Sequence, residues 1–127
     1  MPLTLALHTV VSRSFGQNTF VASLTGHSDC IIVDPGFDAT AIQSCLTQHQ
    51  LTPKAILITH GHADHIAGNQ AMKRCWPECP LVIGRDEAHK LTDPQANLSA
   101  QYGFGLTSPP ADELVDDGQV YQAAGLA

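Results

Sequence analysis

The sequence predicts an α/β (α+β) fold, a sheet of short strands covered by helices, and three observations carry that prediction. Short apolar runs and helical periodicities follow one another as strand, helix, strand, helix, strand between Cys30 and Ile83. Ala55 to Ile58 is too short for a helix and has no polar residue, the pattern of a strand buried on both faces. Turn residues such as Asp34-Pro35-Gly36 and Trp76-Pro77 punctuate the runs where elements must end.

Taken in order, Leu3, Leu5 and Leu7 alternate with small or polar residues as a strand does. Thr19 to Leu24 and Cys30 to Val33 read as two more strands, joined through a hairpin turn at Gly26-His27-Ser28-Asp29. Asp38 is placed to cap a helix whose apolar side is Ile42, Cys45, Leu46 and His49, and Pro53 closes that unit. Ile66 to Cys75 predicts a second helix, with Ala67, Ala71 and Cys75 along one side, and Leu81 to Ile83 another strand. A short helix over Asp86 to Leu91 follows. The next starts at Asp93 as cap, with Pro94 at its first position, and runs to Tyr102 before Gly103. Thr107 to Pro110 reads as a loop, and the last stretch carries a turn at Asp116-Asp117-Gly118, a strand over Gln119 to Gln122, and a turn near Gly125. With no internal repeat or linker, residues 1–127 are expected to form one domain.

The composition, 43% hydrophobic and 14% charged, is that of a chain that folds around a core. Twelve acidic and six basic residues give a formal charge of -6 and leave no basic stripe for a phosphate backbone, so nucleic acid is not expected as a partner. No apolar run approaches the roughly 20 residues needed to cross a bilayer, so no membrane association is expected. The N-terminus lacks the basic start and cleavage site of a signal peptide, from which a cytoplasmic location is expected. The cysteines agree: Cys30 and Cys45 read as buried thiols, and Cys75 with Cys79 has no second pair to complete a tetrahedral site.

The chemistry concentrates at His60, His62, Asp64 and His65, three imidazoles and a carboxylate within six residues directly after the buried strand. Such a cluster serves little structural purpose unless something binds to it. Imidazole and carboxylate without thiolate suit zinc, iron or manganese. In an extended segment His60 and His62 point the same way and can share one ion, while Asp64 and His65 leave in other directions and can reach a second. His8, His27, His49 and His89 stand alone and read as ordinary surface or core residues.

The run Thr59-His60-Gly61-His62-Ala63-Asp64-His65-Ile66-Ala67-Gly68 resembles the H-x-H-x-D-H signature of the metallo-β-lactamase superfamily. Asp34-Pro35-Gly36 is similar to that family's Asp-x-Gly turn, and Asn18 with Phe20 to its early Asn-x-aromatic segment. The resemblance implies the αββα four-layer sandwich, of which this chain would be the N-terminal half or slightly more. It also implies that His60 and His62 ligate a first zinc ion, that Asp64 and His65 ligate a second, and that Asp64 is catalytic, accepting the proton of the activated water. Asp34 would be a supporting carboxylate. The family's further His and bridging Asp ligands have no counterpart, since no His follows His89, so the resemblance also implies a domain incomplete at its C-terminus.

Within the family, a histidine at position 65 resembles the glyoxalase II-like (hydroxyacylglutathione hydrolase-like) branch, as does the segment Asp93 to Ser99 with Tyr102-Gly103-Phe104. The resemblance then implies hydrolysis of a thioester such as a hydroxyacylglutathione, with a small-molecule substrate as partner and a homo-oligomer left open. A mononuclear iron persulfide dioxygenase and a lactonase are alternative readings of the same motif. A catalytically silent fragment or interaction module is a reading of another class.

Overall fold

A computed structural model of the chain describes residues 3–127. Six strands form one mixed sheet in chain order: β1 (Leu5–Val11), β2 (Asn18–Leu24), β3 (Asp29–Val33), β4 (Thr52–Ile58), β5 (Leu81–Gly84) and β6 (Glu113–Val115). The first three strands are antiparallel hairpins, and β3 to β6 run parallel. Parallel neighbours need crossover connections, supplied here by helix α1 (Ala39–Gln48) between β3 and β4, and by α2 (Ala63–Ile66) and α3 (Asn69–Cys75) between β4 and β5. Two 3₁₀ segments, Arg85–Thr92 and Ala100–Tyr102, lie in the connection to β6. No helix among the described residues is long and apolar enough to cross a membrane.

The core lies between the helices and one face of the sheet. Val21, Cys30, Ile32, Ile56, Leu81 and Ile83 are almost fully buried there against Ile42, Leu46, Ile66, Met72 and Leu91. The other face is partly open: Leu5, Leu7 and Val11 remain more than half exposed. The C-terminal stretch crosses it, with Tyr121, Ala123 and Leu126 facing Ile31 and Leu57. Ala55 and Ile56, on opposite faces of β4, are both at 0% exposure, as a strand buried on both sides should be.

Several expectations need correction. Ile66 to Cys75 is not one helix, because the chain breaks at Ala67-Gly68 where it crosses the Asp34-Pro35-Gly36 turn. The Gly68 amide donates to the Pro35 carbonyl at 2.8 Å, and a Cβ on Gly68 would lie 2.6 Å from the Gly36 carbonyl oxygen. Asn69 and Met72 form the buried side of α3, while Cys75 is exposed, so the small residues Ala67 and Ala71 do not define its packed face. Asp38 occupies the N-cap of α1, yet its side chain makes no capping bond. The Asp93 carboxylate accepts from the amides of Gln95 and Ala96 as a cap would, but the segment forms turns instead of a helix until Ala100. Its side chains bond the backbone across the segment and compete with a helical ladder. Gln119 to Gln122 forms no strand, and Glu113–Val115 pairs with β5 instead. Cys79 is buried while Cys45 is only half-buried.

Candidate metal centre

The loop from Thr59 to His62 leaves the carboxyl end of β4, where ligand sites of helix-covered parallel sheets lie. Its anchor is Asp34, at the end of neighbouring β3. Asp34 is 4% exposed and adopts φ 54°, the left-handed conformation that Asp tolerates better than most residues. Its amide donates to the Leu57 carbonyl at 2.9 Å, and its carbonyl accepts from Gln17 Nε2 and Thr19 Oγ1, each at 2.8 Å. The Gly36 amide donates to the same Thr19 hydroxyl, and Gln17 lies so close to Gly36 that a side chain there would collide with it. β2 and β3 thus fix the backbone from which the carboxylate projects.

The Asp34 carboxylate accepts from the Thr59 amide at 2.7 Å, from Thr59 Oγ1 at 2.6 Å and from His65 Nδ1 at 2.9 Å. A carboxylate only accepts, so the single Thr59 hydroxyl proton is committed to Asp34. The 3.0 Å contact between Thr59 Oγ1 and His60 Nδ1 must then be donated by the imidazole. One carboxylate therefore sets both rings, His60 through Thr59 and His65 directly, with Nδ1 as the donor in each. This is the arrangement in which partners behind a ligand orient it for a metal ion.

The same side chains converge. Asp34, His60 and His65 each offer a ligand atom within 4.8 Å of the others. The ring centroid of His60 lies 4.1 Å from that of His65 and 4.7 Å from that of His62, which meets it edge-on. Asp64, in the first turn of α2, brings Oδ2 to 3.6 Å from His65 Nε2. Burial, reinforced by the neighbouring His65 and His62, pushes the His60 pKa below the ordinary histidine value, favouring the neutral form that ligates metal. The four residues singled out in the sequence thus lie together. His60 lies close both to His62, the partner its spacing suggests, and to His65 with Asp34. His62 is the exposed member, turned toward Asp64 and the segment beyond Asn97. Three imidazoles and the Asp64 carboxylate without a thiolate, backed by Asp34, form a donor set that fits zinc, iron or manganese.

Two supports were missed in the sequence. Thr59 carries no signal beyond its place before His60. Glu87 lies on the 3₁₀ segment after β5, and its Oε1 accepts from the Gly61 amide at 2.9 Å. Its carboxyl is held below the usual range by its bond to Lys90, then by that amide. Gly61 must be glycine because a Cβ there would meet Lys90 Cβ at 2.5 Å.

The family described as "Metallo-beta-lactamase superfamily" matches residues 13–126. The chain is 34% identical over 99 residues to a protein of Bacillus subtilis (strain 168) called "Probable metallo-hydrolase YqgX", covering 76% of this chain and 46% of that protein. It is 41% identical over 97 residues to the "Hydroxyacylglutathione hydrolase" of Yersinia enterocolitica, covering 76% of this chain and 34% of that one. The chain thus spans about a third to a half of the length of these curated relatives. Among solved structures it superposes on the BLEG-1 B3 metallo-beta-lactamase with a TM-score of 0.87 at 31% identity, over 94% of this chain and 57% of that one.

Proposed function

Because the chain belongs to the metallo-β-lactamase superfamily, a superfamily of metal-dependent hydrolases, we propose that it carries the metal loop of a hydrolase acting on a thioester such as a hydroxyacylglutathione. The observation that carries this reading is the shared anchoring of His60 and His65 on Asp34, which orients both rings through Nδ1 with their centroids 4.1 Å apart. The 41% identity to a hydroxyacylglutathione hydrolase supports the choice of substrate class.

In this proposal His60 and His62 hold a first zinc ion, and Asp64 and His65 a second, with further ligands outside the matched part of the relatives. Such ions supply a Lewis acid for the carbonyl and bring the pKa of water toward neutrality. The chain's own groups do the rest. Asp64, beside His65 Nε2, takes the proton released as water attacks, a role that general-base groups fill by lying within reach of that proton. Asp34 and Thr59 keep the imidazoles from rotating, and Glu87 fixes the Gly61 amide between the two histidines of the loop.

The test is elemental analysis of the purified protein together with hydrolysis of S-lactoylglutathione. In protein that carries the complete site, about two zinc ions per site, with hydrolysis lost in His62→Ala, is the expected result. One iron per chain with oxygen uptake on glutathione persulfide would replace the hydrolase with the dioxygenase.

A further inference from the structure

Beside the metal loop lies a cavity of about 180 Å3 whose wall is aromatic. His62 and Asp64 form one side, and Phe15, Leu98, Tyr102 and Phe104 the other. Phe15 comes from the β1–β2 hairpin and the rest from the segment before β6, so the wall joins distant parts of the chain. Phe15 stacks on Phe37 at 5.6 Å and meets Tyr102 edge-on at 5.3 Å, while Phe37 meets Phe104 edge-on at 5.9 Å. Phe15 and Tyr102 are nevertheless 54% and 59% exposed, which gives the cavity an apolar mouth.

The wall is held in place at a cost. Phe15 and Leu98 adopt φ 67° and 73°, left-handed values unfavourable for bulky side chains, and strain of this kind gathers at ligand sites. Asn97, at 0% exposure, maintains it: Nδ2 donates to the carbonyls of Lys90 and Leu106, and Oδ1 accepts from the Ser99 amide. The Asn97 carbonyl accepts from the Ala63 amide at 2.9 Å, tying the wall to the metal loop between His62 and Asp64.

We propose that this cavity is a specificity subsite for one apolar group of roughly ring size, carried by the substrate next to its scissile bond. The proposal rests on the hydrolase reading above. An apolar cavity of about 150 Å3 accommodates a benzene molecule, so the volume here admits one ring. No lysine or arginine lines the cavity.

The experiment separates subsite from chemistry. The full chain, stripped of metal by chelation, is titrated with two thioethers that cannot be hydrolysed, S-benzyl- and S-methyl-N-acetylcysteamine, and followed through its aromatic NMR signals. The benzyl compound should bind about ten-fold more tightly or better, moving the Phe15, Tyr102 and Phe104 signals, and Phe15→Ala should erase most of that difference. Phe15 is exposed, so its loss leaves the core intact; Tyr102→Ala serves as a second variant. Metal-loaded protein is then assayed on phenylacetyl and acetyl thioesters of N-acetylcysteamine and on the acetyl thioester of benzyl mercaptan. If Phe15→Ala lowers kcat/KM only for the phenylacetyl compound, the acyl side fills the subsite; if only for the benzyl compound, the thiol side does. Equal binding of both thioethers, or hydrolysis that ignores the ring in parent and variant alike, overturns the subsite. Ring-selective binding together with one iron per chain and oxygen uptake on glutathione persulfide upholds the subsite and overturns the hydrolase reading.

Discussion

Concave surfaces lie at both ends of β4 and β5, and the roomier one at their amino ends lacks a converging metal-ligand set among the described residues. At the amino ends of β4 and β5, Thr52 to Lys54 and Cys75 to Cys79 border a cavity of about 420 Å3. Its polar groups are loosely engaged: Lys54 lies 3.9 Å from Asp29, and Gln43 donates to Cys75 Sγ at 3.2 Å. Beside the metal loop the cavity is under half that volume, yet a buried carboxylate, a hydroxyl and the imidazoles of His60 and His65 interlock there. Volume alone does not mark a reactive site. What distinguishes the carboxyl end is polar groups withdrawn from water and fixed by one another, which is where ligands are held and pKa values shift.

The difference can be broken most severely at the loop. His60→Ala and His62→Ala should each reduce metal content and hydrolysis to background while the fold persists, as metal analysis and circular dichroism would show. Asp64→Asn should leave first-ion binding largely intact and lower turnover by about 10² to 10⁴, the range that a general base contributes. An Asp64→Asn protein that turned over at the parent rate would remove Asp64 from catalysis.

Asp34→Ala should act on both stability and affinity. It strands the Thr59 amide, the Thr59 hydroxyl and His65 Nδ1, so about 3 kcal/mol of stability is expected to go, measured by urea unfolding. Metal affinity should weaken by about 10- to 100-fold in a chelator competition, the usual effect of losing a group behind a ligand. Gly68→Ala should cost about 1 to 3 kcal/mol, because its Cβ would press on the Gly36 carbonyl and push the Asp34 turn away from the loop.

At the opposite end the expected effects are small. Cys75→Ser should leave metal content and hydrolysis unchanged and stability within about 0.5 kcal/mol. Burial pushes the Cys30 thiol up to about 12 and the Cys79 thiol up to about 11, so iodoacetamide should modify exposed Cys75 first. These raised values favour the neutral thiol in the folded chain. Their contribution is complete below the ordinary thiol pKa near 9 and is lost as pH climbs toward 11 and 12. Urea midpoints measured from pH 8 to 11 should therefore fall with pH.

Much of the site was legible because its ligands are contiguous: His60, His62, Asp64 and His65 sit within six residues, directly after a strand whose unbroken apolar run announces burial. Strands β2 to β5 were legible for the same local reason. Glu87 was not, since nothing in the sequence shows that a carboxylate 26 positions after Gly61 folds back onto its amide. The break at Ala67-Gly68 was hidden as well, because it comes from contact with a turn more than thirty residues earlier.

The sequence by itself determined the order of strands from β1 to β5, the acidic balance, and the clustering of three imidazoles and a carboxylate after β4. These follow from periodicity, composition and residue chemistry, all of which act over a few neighbouring positions. Tertiary structure alone decided which nitrogen of His60 and of His65 donates, that Asp34 stands behind both rings, and that Phe15 meets Tyr102 beside the loop. Those outcomes depend on hydrogen bonds and packing between segments far apart in the chain, which exist only once the sheet has brought β2, β3 and β4 side by side.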